Sequence, residues 1–401
     1  MVASTQVSKS AVWRPEDSAP EVELLLVCAR VHVDPQQAAR LRELIEKGLD
    51  WGYLLRLTDR HGLLPLLHWH LNACCADAIQ AEHRQYLRTA FQRVSALNIF
   101  LTHELQRLLA LFATERIEAV PYKGPALAEQ LYGNVALRQF SDLDILVSPN
   151  DVTRARDLLV AEGYAPLPLL TDRQQAVLFK TQCNLPFTRD NKRLVVELHW
   201  TVSAPNFARP FESDAFWGSL EEGQLNGIAI RRPATEHLLL SLCIHGSKHL
   251  WERLAWISDI AGLIEQNQNL DWQQLVTRAR GTGSERMLSL GLYLAVDLLG
   301  AKLPPKIEQV LNSDEMVPAL AASVKRFLFT PELTPSGMAG YFRFQLKARR
   351  RLRDKIKYLH FAISPTEQDL VQIKLPAPLN FVYYLVRPVR MVLVGGPSHF
   401  H

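Results

Sequence analysis

The amino-acid sequence predicts an α+β protein, with a small mixed β-sheet core embedded in largely helical surroundings. Three observations carry that expectation. Apolar residues recur at three- and four-residue steps from Val22 to about Ala110, and the same helical periodicity returns beyond Thr235. Between these stretches, short apolar runs bounded by turn residues have the character of strands. Of the 401 residues, 48% are apolar and 21% charged, so a large core forms without help from disulfides. That composition excludes collagen, coiled coil, bulk disorder and the disulfide-rich secreted scaffolds.

The elements follow in order. Residues 1–20 lack the continuous apolar core of a signal peptide and read as a solvated tail. Residues 21–115 form a helical region punctuated by Gly62 and Pro65. Ile117 to Tyr122 suits a buried strand leaving into a tight turn at Lys123-Gly124, and Pro125 then fits the first turn of a helix to about Tyr132. Ser141 to Val147 is the next strand. Asp151 caps a helix that Gly163 ends, and Arg193 to Trp200 is a further strand, all inside a core assigned to residues 116–232. A helical domain over 233–328 holds helices at about 235–265, 271–279 and 284–300, and Pro304-Pro305 breaks the run.

The C-terminal region, 329–401, opens with a Pro/Gly loop at 330–340. It then turns basic: Arg343, Lys347, Arg349, Arg350, Arg351, Arg353, Lys355 and Lys357 face only Asp354. A solvated helix face is the default for such a stretch; contact with a polyanion such as tRNA and attraction to an anionic membrane surface are the alternatives. Leu379 to Val394 is apolar but interrupted by Arg387, Pro388 and Arg390, and is short of the roughly 20 residues a membrane span needs. The net charge of +4 demands no polyanionic partner. Five cysteines without repeated CxxC spacing fit a reducing cytoplasm.

The chemistry concentrates in Ser-Asp-Leu-Asp-Ile-Leu-Val. Residues two apart on a strand share a face, so Asp142 and Asp144 stand side by side while Leu143 and Ile145 point into the core. Adjacent carboxylates repel unless a cation lies between them, and Mg²⁺ is commonly held by one or two carboxylates together with substrate phosphates. Glu197, in Val-Val-Glu-Leu-His-Trp, is a third acid on a neighbouring strand and completes a two-metal set. Asp-x-Asp alone also fits a solvated strand edge. Upstream, however, the Lys123-Gly124 turn opens a helix whose free N–H groups favour phosphate, glycine permits close approach, and Lys123 adds a point charge.

Taken together, KGPALAEQLYGNVALRQFSDLDILV, VVELHW and HGSKHLWERLAWISDI resemble an uncharacterised bacterial family of the polymerase-β-like nucleotidyltransferase superfamily. The resemblance spans roughly residues 50 to 390. It implies Mg²⁺-dependent (or Mn²⁺-dependent) transfer of a nucleoside monophosphate from an NTP, such as ATP, to a hydroxyl-bearing acceptor, with pyrophosphate leaving. In that scheme Asp142, Asp144 and Glu197 hold the metal, and Glu197 also helps deprotonate the acceptor, which is a small molecule, a peptide or protein, or an RNA end. The superfamily usually has Gly-Ser or Gly-Gly where this chain has Lys123-Gly124. That departure leaves a second expectation, a non-catalytic nucleotide- or partner-binding protein on the same fold.

Further residues are assigned to the pocket against competing readings. Arg138 is a phosphate contact or a surface or acid-pairing arginine. His245 and His249 share a helix face, but Gly246 removes the general base of an HExxH zinc site. With Lys248 they line the nucleotide or acceptor pocket, with Asp259 a polar partner, or else form a histidine pair satisfied in the core. His199 projects to the side of Glu197 and is a pocket residue. His68, His70, Cys74 and Cys75 fit buried helix packing better than a metal site, and Trp200, Trp251 and Trp256 are core residues or base-stacking platforms.

Overall fold

A computed structural model describes residues 19–212, 214–330, 337–372 and 377–394. Five helices come first: α1 (Pro20–Cys28), α2 (Pro35–Glu46), α3 (Trp51–His61), α4 (Leu64–Cys74) and the long α5 (Ala81–Thr114). Their ends follow local chemistry. Asp34 and Gln37 form a reciprocal capping box on α2, and Gly62 takes the left-handed conformation, φ 68°, that ends α3.

The central α+β unit runs β1 (Ala119–Pro121), α6 (Gly124–Tyr132), β2 (Leu143–Val147), α7 (Val152–Ala161), β3 (Ala165–Pro166), α8 (Asp172–Thr181), β4 (Asn184–Arg189) and β5 (Leu194–His199). The five strands make one mixed sheet in the order β1-β2-β5-β4-β3. Only β2 and β5 pair in parallel, with Asp144 opposite Glu197 and Leu146 opposite His199; the other pairs are antiparallel. Alternation does the rest. Leu143, Ile145, Val147, Val196 and Leu198 bury one face against Leu101, Leu105 and Leu108 of α5 and Ala155 and Leu159 of α7. On the opposite face, Val120, Tyr122 and Leu146 join the larger core of the helical half.

After the short α9 (Asp214–Gly218), β6 (Glu221–Leu225) and β7 (Ile228–Arg232) form a separate hairpin. The helical half comprises α10 (Thr235–Lys248), α11 (Leu254–Gln266), α12 (Trp272–Thr282), α13 (Glu285–Leu299), α14 (Pro305–Asn312) and α15 (Met316–Phe329). The C-terminal helices are α16 (Gly337–Lys347), α17 (Leu352–Ile363), α18 (Glu367–Gln372) and α19 (Tyr383–Val394). No helix among the described residues is long and apolar enough to cross a membrane, and all five cysteines are free.

Several elements differ from the sequence expectation. The segment at 235–265 is two helices, because Leu250 and Trp251 turn the chain at φ of 54° and 57° and Trp251 becomes wholly buried. No glycine or proline marks that break. Strand β4 contains Pro186, which argues against a central strand, yet its outer neighbour β3 pairs through only two residues, so most of β4 has the freedom of an edge. The expected loop at 330–340 gives way to α16 from Gly337, with residues 331–336 outside those described, and the tail up to residue 18 lies outside them too. The basic stretch is not one solvated face: Arg349 is 1% exposed, its guanidinium 4.5 Å from the Phe207 ring centre and 4.1 Å from that of Tyr358.

Candidate active site

Two neighbouring lobes, of about 330 and 320 Å³, open where the N-terminal end of β2 and the C-terminal end of β5 meet the start of α6 and the end of α10. Lys123, Asp142, His245 and His249 line both. Glu197, His199 and Lys248 line the first; Gly124, Arg138 and Asp144 line the second. Each of the three acids, and each residue assigned from the sequence to nucleotide or phosphate, therefore lines one or both lobes, whereas Asp259, Trp200 and Trp251 line neither.

Each acid is placed by the sheet. Asp142 precedes β2 and Asp144 lies on it, so the period of two keeps them on the face of Leu146, while the parallel register carries Glu197 and His199 to the same side. Gly124 starts α6 at φ 54°, and a Cβ there would come within 3.3 Å of the Asp142 carbonyl oxygen. Glycine thus allows the turn and the close approach together. Lys123, extended at the helix start, brings Nζ to 2.7 Å from Asp144 Oδ1.

A connected polar network results. His199 Nε2 lies 3.1 Å from Asp144 Oδ1 and 3.2 Å from Glu197 Oε2, and Tyr122 Oη lies 3.1 Å from His199 Nδ1. Asn184 Nδ2 donates to Glu197 Oε2 at 2.8 Å. Ligand atoms of Asp144, Glu197 and His199 all lie within 4.8 Å of one another, the spacing of a cation site. Asp142 lines the cavity without joining that group.

The electrostatics divide the acids. Burial, then repulsion from Asp144 and Glu197, pushes the Asp142 carboxyl up to about 6. Burial acts on Asp144 in the same sense but is outweighed by the Lys123 ammonium and by His199, which hold it well below the usual carboxylate range. Glu197 is likewise lowered, the His199 hydrogen bond overcoming burial. His199 is the complement: burial would discharge it, and its bonds to Asp144, Cys183 and Glu197 instead raise it well above the usual imidazole value. Lys123 is raised too, the three acids overcoming burial.

Other residues settle differently. Arg138 directs Nε and Nη2 onto Asp259 of α11, at 3.1 and 3.0 Å, so its charge is balanced within the wall. His245 is held well below its usual value by burial and then by the Lys123 charge, and its ring packs with those of His249 and Trp256 at 4.7 and 4.9 Å. Trp256 thus reaches the second lobe, whereas Trp200 and Trp251 belong to the core. His70 bonds the Arg30 carbonyl and Cys75 is buried, so that group packs helices.

Sequence reading missed Tyr122, Asn184 and the C-terminal wall formed by Thr366, Glu367 and Arg387. Asn184 was legible only through the alternation of β4, which Pro186 masks. The C-terminal residues reach the cavity through contacts across 170 or more positions, such as Gln174 Nε2 to the Leu370 carbonyl, for which sequence spacing has no signal.

Residues 47–300 match the profile of a family described as uncharacterised nucleotidyltransferase, and the chain belongs to that family. Its class of reaction is the transfer of nucleotidyl groups. No curated protein matches the chain.

Proposed function

We propose that this nucleotidyltransferase moves a nucleoside monophosphate from an NTP to a hydroxyl-bearing acceptor, with loss of pyrophosphate and with magnesium held at the acid cluster. The observation that carries this reading is the register of β2 and β5, which sets Asp144 opposite Glu197 beside the start of α6. The donor set suits a hard cation. Asp142 faces both lobes, Glu197 the first and Asp144 the second, and the Lys123 ammonium against Asp144 supports a position that stabilises positive charge. Asp142, Asp144 and Glu197 would hold the ion, and His199 would orient two of them. When bound, magnesium supplies charge neutralisation at the reacting phosphate and the leaving pyrophosphate.

The chain's own residues do the remaining work. The first turn of α6 offers unpaired N–H groups and its positive dipole end to the phosphates, and Lys123 swings from Asp144 toward them. The acceptor enters from the Glu197 lobe. Its oxygen attacks the α-phosphorus, the bond to the bridging β-phosphate oxygen breaks, and Glu197, kept ionised by His199, takes the hydroxyl proton. ATP is the donor of first choice for assay.

The test is pyrophosphate release from each of the four NTPs with magnesium and size-fractionated host extract, comparing wild type with Asp142→Ala/Asp144→Ala. Wild type should release pyrophosphate with one NTP, and the double variant should be slower by about a thousandfold while remaining folded. Mass spectrometry then identifies the acceptor that gained a nucleotide. Equal release by both proteins overturns the assignment. The ion pair between Lys123 and Asp144 supports a second reading, a nucleotide-binding protein without turnover, which would bind magnesium-NTP yet release no pyrophosphate with any fraction.

A further inference from the structure

Helix α17 presents a face that its own core does not use. Asp354, Tyr358 and Phe361 turn inward, against the interior that holds Arg349. On the outside, Leu352, Ile356, Leu359 and Ile363 follow the i, i+4, i+7, i+11 rule of a single helical stripe. Their exposures are 73, 58, 49 and 40%, an unusual concentration of bare aliphatic surface on one helix. The adjoining segment, which packs on α17 through the bond from Arg387 to the Ala362 carbonyl, exposes Phe381 and Leu385 as well.

The flanks of the stripe are basic. At about 100° per residue, Lys355 falls on one side of it and Arg353 on the other. Arg350 and Arg351 stand just before the helix. The sole acid in this stretch, Asp354, is buried on the inner face. An apolar stripe flanked on both sides by cations is the arrangement of a helix lying in the plane of a bilayer, with its aliphatic side chains among the acyl chains and its cations at the headgroups. A protein partner would need a matching groove with acids on both rims. An anionic lipid surface supplies both features at once.

We infer that α17 docks the protein onto the surface of an anionic membrane, with Leu352, Ile356, Leu359 and Ile363 inserted and Arg353 and Lys355 against the headgroups. The docking does not depend on the nucleotidyl chemistry. It extends the sequence expectation for the basic stretch by placing the apolar contact on α17 itself rather than on the residues from 379 to 394.

The experiment is co-sedimentation of the full chain with vesicles of equal parts phosphatidylglycerol and phosphatidylcholine, and with vesicles of phosphatidylcholine alone. Wild type should bind the anionic vesicles at least about tenfold more tightly, with binding weakening as salt is added. Leu352→Ser/Ile356→Ser/Leu359→Ser and, separately, Arg353→Glu/Lys355→Glu should each weaken binding about tenfold or more without lowering the melting temperature, since the serines replace exposed groups. Absence of wild-type binding to anionic vesicles, or equal binding by wild type and both variants, overturns the inference. A wild type that is dimeric without lipid, and monomeric in the triple serine variant, reassigns the stripe to a second copy of the chain and overturns it equally.

Discussion

Two buried histidines show how differently the sheet half and the helical half treat charge. His199, on β5, is enclosed by Asp144 and Glu197 and is held charged. His61, at the end of α3, is completely buried among helices and is held neutral, its value lowered to about 4 chiefly by burial. Its Nε2 donates to the Leu328 carbonyl at 3.0 Å, and its Nδ1 accepts from the Leu254 N–H at 3.3 Å, a pattern that only the uncharged ring satisfies. The helical half therefore uses a polar residue to tie α3, α11 and α15 together. The sheet half keeps ions inside a cavity, held charged by one another, where they can act on a substrate.

The junction of the halves makes the contrast sharper. His245 lines both lobes, and Gly246 beside it is the floor on which Trp251 packs: a Cβ at 246 would meet that ring at 2.5 Å, and one at Gly291 would meet it at 2.9 Å. Gly246, which removes the zinc-protease reading of the His245 and His249 pair, is explained by shape alone. Stability and the candidate chemistry thus sit on adjacent residues of α10.

The largest expected effect separates the two histidines by pH. Because His61 titrates lower in the folded state than when unfolded, the unfolded chain takes up the proton first as pH falls. Its contribution is fully present above about 6.5 and is lost toward pH 4, about 3 kcal/mol in all. Denaturant unfolding of wild type and His61→Gln across that window should converge at low pH; parallel curves would mean that His61 is not held neutral.

A smaller effect probes shape. Gly246→Ala gains helix propensity but drives a methyl group into Trp251, so unfolding should show a net loss of about 2 kcal/mol. A variant as stable as wild type would remove the rigid floor from the comparison. The smallest effect has the opposite sign. Asp142→Asn removes the acid that burial and its neighbours push up to about 6, so the protein should gain about 1 kcal/mol at neutral pH while transfer falls. Loss of both stability and activity would make Asp142 a structural carboxylate.

Much of the candidate site was legible because strand alternation is local. Asp142 and Asp144 could be assigned to one face from the apolar residue between them, Glu197 was legible as an acid between apolar residues on a neighbouring strand, and His199 followed from Glu197 by the same period of two. Lys123 was legible as a charge at a helix start, but its partner was not: the ion pair with Asp144 depends on how α6 leaves β1. Arg138 was open between phosphate and an acid until packing of α11 brought Asp259 to it. The break at Leu250 and Trp251 was invisible, since neither residue favours a positive φ and only burial of the indole makes it worthwhile.

The sequence by itself determined the alternation of helical and strand periodicity, the pairing of acids on one strand face, and the glycine that opens α6. These follow from backbone periods and from the reach of a missing side chain, which any few residues specify. Only the tertiary structure decided that β2 and β5 run in parallel with Asp144 opposite Glu197, that Lys123 neutralises Asp144, and that the C-terminal helices wall one lobe. Those outcomes depend on burial and on long-range Coulomb energies, which exist only once distant segments exclude water between them.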